Sequence, residues 1–559
     1  MACTSTRVRS LSRGLSRSWE ARRTRSRGRK LGFGLFGVVG AILVMAGPAA
    51  AEGLTPGDNN ALLASLWLIV AGCLVFLMQA GFALVEAGLT RAKNIGNIMA
   101  KNLADMAIGA LAFWAVGFGF AFGSDSGSLI GTDNFFLSGM SDEFLGGGDV
   151  LATPSFFFFQ VVFAATAVTI ASGAMAERTK FPAYLAFSAV MTGFIYPVVV
   201  HSFWHGDGIL SDLSIGDARF SDFAGSSIVH SAGGWAALMG AVFLGPRIGK
   251  YAPDGSPRAI PGHNIGFVVV GVFILWFGWF GFNAGSELAM DEWVAHCIVT
   301  TMLAASAGVL GAGAVIWRKT GTMGVSMAAN GALAGLVSIT AGTGALSFTG
   351  SVVVGFIGGV IVVYSVLFIE KKGIDDPVGA ASVHGTTGLW GLLAVGIFAN
   401  GNNGVEGLVA GEAKQILSQL ISMGVVLSWA LVTGFALFMF LKIGMGVRVH
   451  AITLPTLNPG IIGHIRDGIF AAADPFGFAK PIFQHAVEPC LLIVVSVHGV
   501  LDFFLGVIIE VVGLAQHGTK PPHLPHQPLH RLPVSVGLGR EKLAGFVGEI
   551  KQDSTRFEQ

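Results

Sequence analysis

The chain of 559 residues is 53% hydrophobic and only 12% charged, with a mean hydropathy of +0.69. Soluble globular chains carry about 25% charged residues, so an ordinary cytosolic protein is excluded. Lys and Arg number 34 against 33 Asp and Glu, a formal net charge of +1, which leaves no global field for nucleic acid or an acidic partner.

Residues 1–30 are rich in Arg and Ser and contain one acid, Glu20. An apolar run from Leu31 to Ala46 follows, then Gly47-Pro48-Ala49-Ala50-Ala51-Glu52. A basic region, a short apolar region and an Ala-x-Ala site predict a secretory signal peptide over 1–51, cleaved after Ala51, with an organellar transit peptide as the lesser reading. Beyond it, apolar stretches long enough for a bilayer core of about 30 Å lie near 61–84, 103–122, 155–176, 183–203, 226–245, 264–284, 294–317, 323–341, 351–369, 382–400 and 416–441. They are too long and too continuous for strands, so the expected fold is an all-α polytopic membrane protein with eleven transmembrane helices. The 80 glycines, which have no collagen period, suit helices packed closely in a membrane. Cys3, Cys73, Cys297 and Cys490 have no metal-ligand spacing and imply neither a zinc site nor a disulfide framework.

Alternate loops differ in charge. One set carries Arg91, Lys93, Lys101, Arg178, Lys180, Arg247, Lys250, Arg258, Arg318, Lys319, Lys371 and Lys372; the other carries Arg219 and Lys414 among acids such as Asp133, Asp142, Asp212 and Glu292. By the positive-inside rule the first set is cytoplasmic. The mature N-terminus is then outside and the C-terminus inside, which agrees with a cleaved signal.

Span 5 opens Asp222-Phe-Ala-Gly225-Ser-Ser-Ile-Val229-His230 and continues to Gly234 and Leu238. Span 10 opens Asp376-Pro-Val-Gly379-Ala-Ala-Ser-Val383-His384 and continues to Gly388 and Leu392. The two spans are an odd number apart and run in opposite directions, so spans 1–5 and 6–10 read as an inverted repeat with the eleventh helix outside it, a plan that places transporter sites near the midplane. Each histidine lies eight residues past its aspartate, about 12 Å along a helix, so the two imidazoles reach similar depth from opposite faces. A lone histidine there could be a packing residue; a symmetry-related pair is better read as functional. A metal site would need a third ligand, and none is placed at that depth.

The histidine repeat, together with Gly278-Trp-Phe-Gly-Phe-Asn-Ala-Gly-Ser286 and Gly173-Ala-Met-Ala-Glu-Arg178, closely resembles the Amt ammonium transporters of the Amt/Rh/Mep superfamily, from about residue 60 to residue 448. The resemblance implies a homotrimer in the cell membrane, one pore per subunit, ammonium or methylammonium as substrate, and no cofactor. It implies that Trp204, Phe163 and Ser286 form an external cation vestibule, that Phe163 and Phe282 are the stacked gate, that His230 and His384 line the pore, and that Asp222 supports the vestibule. An indole or phenyl face attracts a small cation by about 0.5–2 kcal/mol, and a bare cation in the bilayer core is costly, so loss of a proton before the constriction is the reasonable route. Without the resemblance, Trp204 would read as a membrane-belt residue, and Phe163 and Phe282 as two of 43 phenylalanines. Asp376 reads as a helix N-cap, and Glu177 with Arg178 as a structural pair.

The resemblance covers 52–448 as the transmembrane domain and then stops. Gly446-Val-Arg448 fits the start of the family's tail, but residues 449–559 form an atypical cytoplasmic tail. It contains an interrupted apolar stretch at 491–514 and a His- and Pro-rich run at 517–533. A shifted reading frame would produce the same loss of pattern. The family's tail is where a PII-type signal protein and trimer cross-talk act, so its departure here weighs against that partner. Rival readings are a Rh-like gas channel, disfavoured by Trp204, and an ammonium sensor, disfavoured by the lack of a signalling domain after span 11. No nucleophile, base and oxyanion donor group together, so an enzyme is not expected.

Overall fold

A computed structural model describes residues 56–124, 129–138 and 153–449. The predicted signal segment, the stretch at 491–514 and the tail from 450 onward lie outside the described residues. The chain divides into two compact units, Met1–Asn60 with Gly147–Asp149, and Ala61–Gly146 with Val150–Gln559. Of the first, only residues 56–60 are described, as the opening of a helix. The second holds the rest of that helix and every other described element.

Its elements in chain order are α1 (Pro56–Leu89), α2 (Ala92–Phe122), α3 (Thr153–Ala174) and α4 (Phe181–Trp204). A small antiparallel hairpin pairs β1 (Ser214–Ile215) with β2 (Ala218–Arg219). Then come α5 (Ser226–Leu244), α6 (Ile265–Gly285), α7 (Glu292–Thr320) and α8 (Val325–Thr340). The series ends with α9 (Phe348–Lys371), α10 (Ala381–Phe398) and α11 (Lys414–Gly444). Mostly apolar side chains along each helix, and backbone bonds closed within it, are what a medium without water demands. Side chains of Asn264, Asp291 and Ser347 cap the starts of α6, α7 and α9 by accepting from Phe267, Trp293 and Gly350 N–H.

Among the described residues, ten helices are long and apolar enough to cross a membrane. The span predicted at 323–341 is the exception: α8 has only 16 residues, about 24 Å at 1.5 Å per residue. Every residue of α8 from Ala328 to Thr340 is buried, so protein rather than lipid surrounds it and full span length is not required.

Burial sorts the helices. The apolar windows of α5 and α10 are 94% and 89% buried, whereas those of α1 and α2 are 39% and 33% buried. The outer helices present Leu66, Phe76, Leu103 and Leu111 to their surroundings. Glycine makes the inner contacts close. A Cβ on Gly308 of α7 would lie 2.3 Å from the Gly331 carbonyl of α8, and one on Gly359 of α9 would lie 2.1 Å from the Gly308 carbonyl. Cys73 and Cys297 are free thiols.

One predicted boundary is corrected. Lys101 reads from the sequence as a cytoplasmic loop residue, but it is buried inside α2, 3.6 Å from Glu86. Hydropathy placed spans at 61–84 and 103–122 because charged residues end an apolar run; the helices continue through those charges because they find partners inside the bundle.

Candidate functional site

The central helices α5 and α10 open alike. Asp222 precedes α5, and its carboxylate accepts from the backbone N–H of Gly225 (2.9 Å), Ser226 (2.8 Å), Ser227 (2.8 Å) and Ile228 (3.1 Å) and from the Ser227 hydroxyl (2.7 Å). Asp376 does the same for α10, accepting from Gly379 N–H at 3.0 Å and Ala381 N–H at 2.8 Å. Both carboxylates thus satisfy first-turn donors that lack intrahelical partners. Gly225 and Gly379 adopt φ of +103° and +78°, a left-handed conformation that favours glycine. The first turns, Ser226–Ser231 and Ala381–Thr386, are π-helical, a widening common at functional sites.

These turns carry His230 and His384. Both imidazoles are buried, with Nδ1 of one 3.2 Å from Nδ1 of the other. Such a contact needs one Nδ1–H donor and one Nδ1 acceptor, so two neutral rings would hold opposite tautomers, and their Nε2 atoms would be one acceptor and one donor. His230 Nε2 has no hydrogen-bond partner. The helices meet closely because glycines face each other: a Cβ on Gly234 would lie 2.1 Å from Gly385 N, and one on Gly388 2.3 Å from the Ser226 carbonyl.

A column of rings leads to the pair. The Trp204 ring lies 6.4 Å from Phe163, which stacks on Phe282 at 3.9 Å and 16°. Phe282 is 5.2 Å from His230, the histidine rings are 5.3 Å apart, and Phe82 lies 5.9 Å beyond His384. Phe163 and Phe282 are buried, while Trp204 is half-buried. The indole Nε1 of Trp204 donates to the Asp222 carbonyl at 2.9 Å, which fixes the ring. Ser286, one turn past Phe282, donates to the Phe282 carbonyl at 2.9 Å, so its oxygen keeps lone pairs for a donor. The structure therefore brings Trp204, Phe163, Phe282, His230 and His384 into one column, with Asp222 bonded to Trp204 and Ser286 bonded to the Phe282 backbone.

Some neighbours escape sequence reasoning. Trp279 stacks on His230 at 4.9 Å and is held by an Nε1–H bond to Thr340 Oγ1 at 2.9 Å. Trp279 stands inside the quoted Gly-Trp-Phe-Gly segment, but periodicity does not show which helix it meets. Glu177 and Arg178 are not paired with each other. Glu177 binds Arg91 and Arg247, whereas Arg178 donates to the carbonyls of Ala174, Ala176, Gly245 and Asp375. Arg247 also forks onto Asp375 through Nε (2.8 Å) and Nη2 (2.9 Å). Burial alone would raise the Glu177 and Asp375 carboxyls, but the arginines hold both below their usual range. Arg448 donates to the Pro246 carbonyl at 2.8 Å, and Lys180 N–H to the Val447 carbonyl at 2.9 Å, docking the Gly-x-Arg segment on the end of α5. This network lies at the opposite end of α4 from Trp204.

Fold and site define a multi-pass helical membrane protein whose buried histidine pair lies against stacked aromatic rings. The model of the Ammonium Transporter Family matches residues 66–453. The chain is 46% identical over 397 residues to ammonium transporter Amt2 of Archaeoglobus fulgidus, covering 69% of this chain and 83% of that protein. It is 36% identical over 413 residues to ammonium transporter Amt1 of Haloferax mediterranei, covering 69% and 75%. Among solved structures, one named Sensor Amt Protein superposes with a TM-score of 0.66 at 39% identity, over 70% of this chain and 96% of that one. Mep2 of Candida albicans superposes at 0.62 and 27% identity, over 74% and 91%. The chain belongs to the ammonium transporter family.

Proposed function

We propose that the protein conducts ammonium nitrogen across the cell membrane by recruiting the cation outside, removing a proton, and passing ammonia between the two histidines. The observation that carries this reading is the column itself, in which a stacked phenyl pair separates a half-open indole from a buried imidazole pair. Trp204 and Phe163 offer faces to a small cation, and the Ser286 oxygen can accept one of its N–H bonds. Phe163 and Phe282 offer no ligand for a hydrated metal ion, which has no proton to shed. Neutral imidazoles offer ammonia one donor and one acceptor. Asp222 acts by ordering Trp204 and the start of α5, not as the proton acceptor.

The same reading has eleven spans, with α1–α5 and α6–α10 as inverted repeats, α11 outside them, the N-terminus outside and the C-terminus inside. Its support is the paired aspartate caps, left-handed glycines, π-turns and histidines of α5 and α10, and the Arg and Lys excess in one set of loops. A homotrimer and a cleaved signal segment complete it.

Uptake of labelled methylammonium, with current recorded in the same proteoliposomes, tests the function. Wild type should take up substrate. His230→Ala and His384→Ala should each keep the oligomer and its melting temperature but change rate or ion selectivity. Folded protein without uptake would replace transport by sensing. Histidine variants that lose thermal stability while keeping the rate per molecule would return the pair to packing.

A further inference from the structure

Beyond His384, on the side away from Trp204, the bundle holds a cavity lined by Phe82, Glu86, Thr169, Asn330, Val378 and His384. It is apolar except for few groups, and one of these is a carboxyl. Glu86 is buried at 2% exposure, and its Oε1 has no hydrogen-bond partner. Its Oε2 accepts from the Ser172 hydroxyl at 2.8 Å and lies 3.6 Å from Lys101 Nζ. Lys101 in turn donates to the Ser172 carbonyl at 2.6 Å. Behind it, Asp105 accepts from the Tyr184 hydroxyl and lies 3.4 Å from Thr169 Oγ1, and its Oδ1 also lacks a partner. The titratable groups around Glu86 are therefore Lys101 and Asp105 of α2, Tyr184 of α4 and His384 of α10; α2, α3 and α8 contribute the neutral Asn102, Thr169, Ser172 and Asn330.

Two carboxyls against one ammonium group would leave a net negative charge deep in a membrane protein, which is costly unless one carboxyl holds a proton. A structural ion pair would be expected to satisfy both oxygens of its carboxylate. Glu86 instead leaves one oxygen unbonded at the wall of a cavity that it shares with His384.

We propose that Glu86 is the proton-exchange site of this chamber, an inference that rests on the transport reading above. Ammonia leaving His384 uses its lone pair to form a new N–H bond with the Glu86 acid proton. The O–H bond breaks with its electron pair left on the carboxylate, and the product leaves as ammonium. Lys101 steadies the carboxylate until a proton from the adjoining solution restores the acid; nothing is oxidised or reduced. The chamber is thus a second subsite for a small protonated amine, with a charge that only a carboxyl can supply.

The test uses the full chain in proteoliposomes with methylammonium, comparing wild type, Glu86→Gln and Glu86→Asp. Glu86→Gln keeps the shape but cannot exchange a proton, so its saturating rate should fall at least tenfold while half-saturation, set at Trp204, stays within twofold. Glu86→Asp should retain part of the rate. An independent readout is the carboxyl stretch in ammonium-induced infrared difference spectra, which should be present in wild type, shifted in Glu86→Asp and absent in Glu86→Gln. A wild-type rate in Glu86→Gln would overturn the proposal, and so would an unaltered carboxyl band in either variant. If Glu86→Gln fails to assemble, Glu86→Asp decides by rate and band. Wild type that moves no methylammonium would sink the transport reading, and the infrared band would still report whether Glu86 responds to ammonium.

Discussion

Trp204 shows how much one side chain's partners decide. A tryptophan near a helix end is by default a membrane-belt residue, but here the indole is tied to the Asp222 carbonyl and faces Phe163. Trp204→Leu keeps apolar bulk and removes the π face, a loss of about 0.5–2 kcal/mol in cation binding, so half-saturation for methylammonium should rise about two- to thirtyfold. Uptake kinetics check this, and an unchanged value would return Trp204 to the belt. Glu287, next to Ser286, adds a pH dependence. Burial, with the charges of Asp291 and Glu292, raises its carboxyl to about 7, against the hydrogen bond from Asn403. The folded protein holds this proton more tightly than the unfolded chain does, so stability from this group is lost as pH rises from the ordinary carboxyl value of 4.5 toward about 7. As pH passes through about 7, Glu287 of the folded protein gains negative charge next to Ser286, so half-saturation for methylammonium should fall there. Glu287→Gln should flatten both trends, measured by melting temperature and by uptake across that range.

Among the helices, the decisive contact is the crossing of α5 and α10. The repeat Asp-x2-Gly-x3-Val-His-x3-Gly was legible in both segments and predicted histidines at matched depth; the two Nδ1 atoms lie 3.2 Å apart. The glycines four residues after each histidine were also legible, but not their purpose, which is to let one backbone touch the other. Gly234→Ala places a Cβ within 2.1 Å of Gly385 N. Because backbone cannot move aside as a flexible side chain can, the expected loss is at the upper end of the overpacking range, about 3 kcal/mol, and appears as a lower melting temperature of purified protein. Gly424→Ala in α11 meets nothing within 4 Å and should be neutral or gain about 0.5–1 kcal/mol through helix propensity. Equal losses at the two positions would refute the close-crossing argument.

For the molecule as a whole, charge is used in two ways. Toward Trp204 it is mostly acidic, with Asp207, Asp212 and Asp217 in the segment after α4; at the other end Arg91, Glu177, Arg247 and Asp375 join the ends of α1, α3 and α5 to the start of α10. Glu177 sits at φ +71°, an unfavourable conformation for a residue other than glycine, and the two arginines hold it there. Arg247→Met would leave Asp375 and Glu177 short of a partner, a change that costs about 3–5 kcal/mol when an ion pair is buried. Thermal denaturation of the purified protein should show that loss, and a melting temperature equal to wild type would mean that Arg91 and Arg178 suffice.

The sequence alone determined the class, the positions of the helices and the histidine pair, because hydropathy over some twenty residues and a repeated motif are local properties. The family resemblance added Trp204, Phe163, Phe282 and Ser286, which no pattern among 43 phenylalanines could single out. Only the tertiary structure decided that Phe163 and Phe282 stack, that Trp279 backs His230, and that Glu86, Lys101 and Asp105 lie buried inside the bundle rather than in loops or at its surface. A charge ends an apolar run in the sequence whether it faces water or a partner. Which of the two it meets depends on side chains from other helices, and only the packed bundle brings those together.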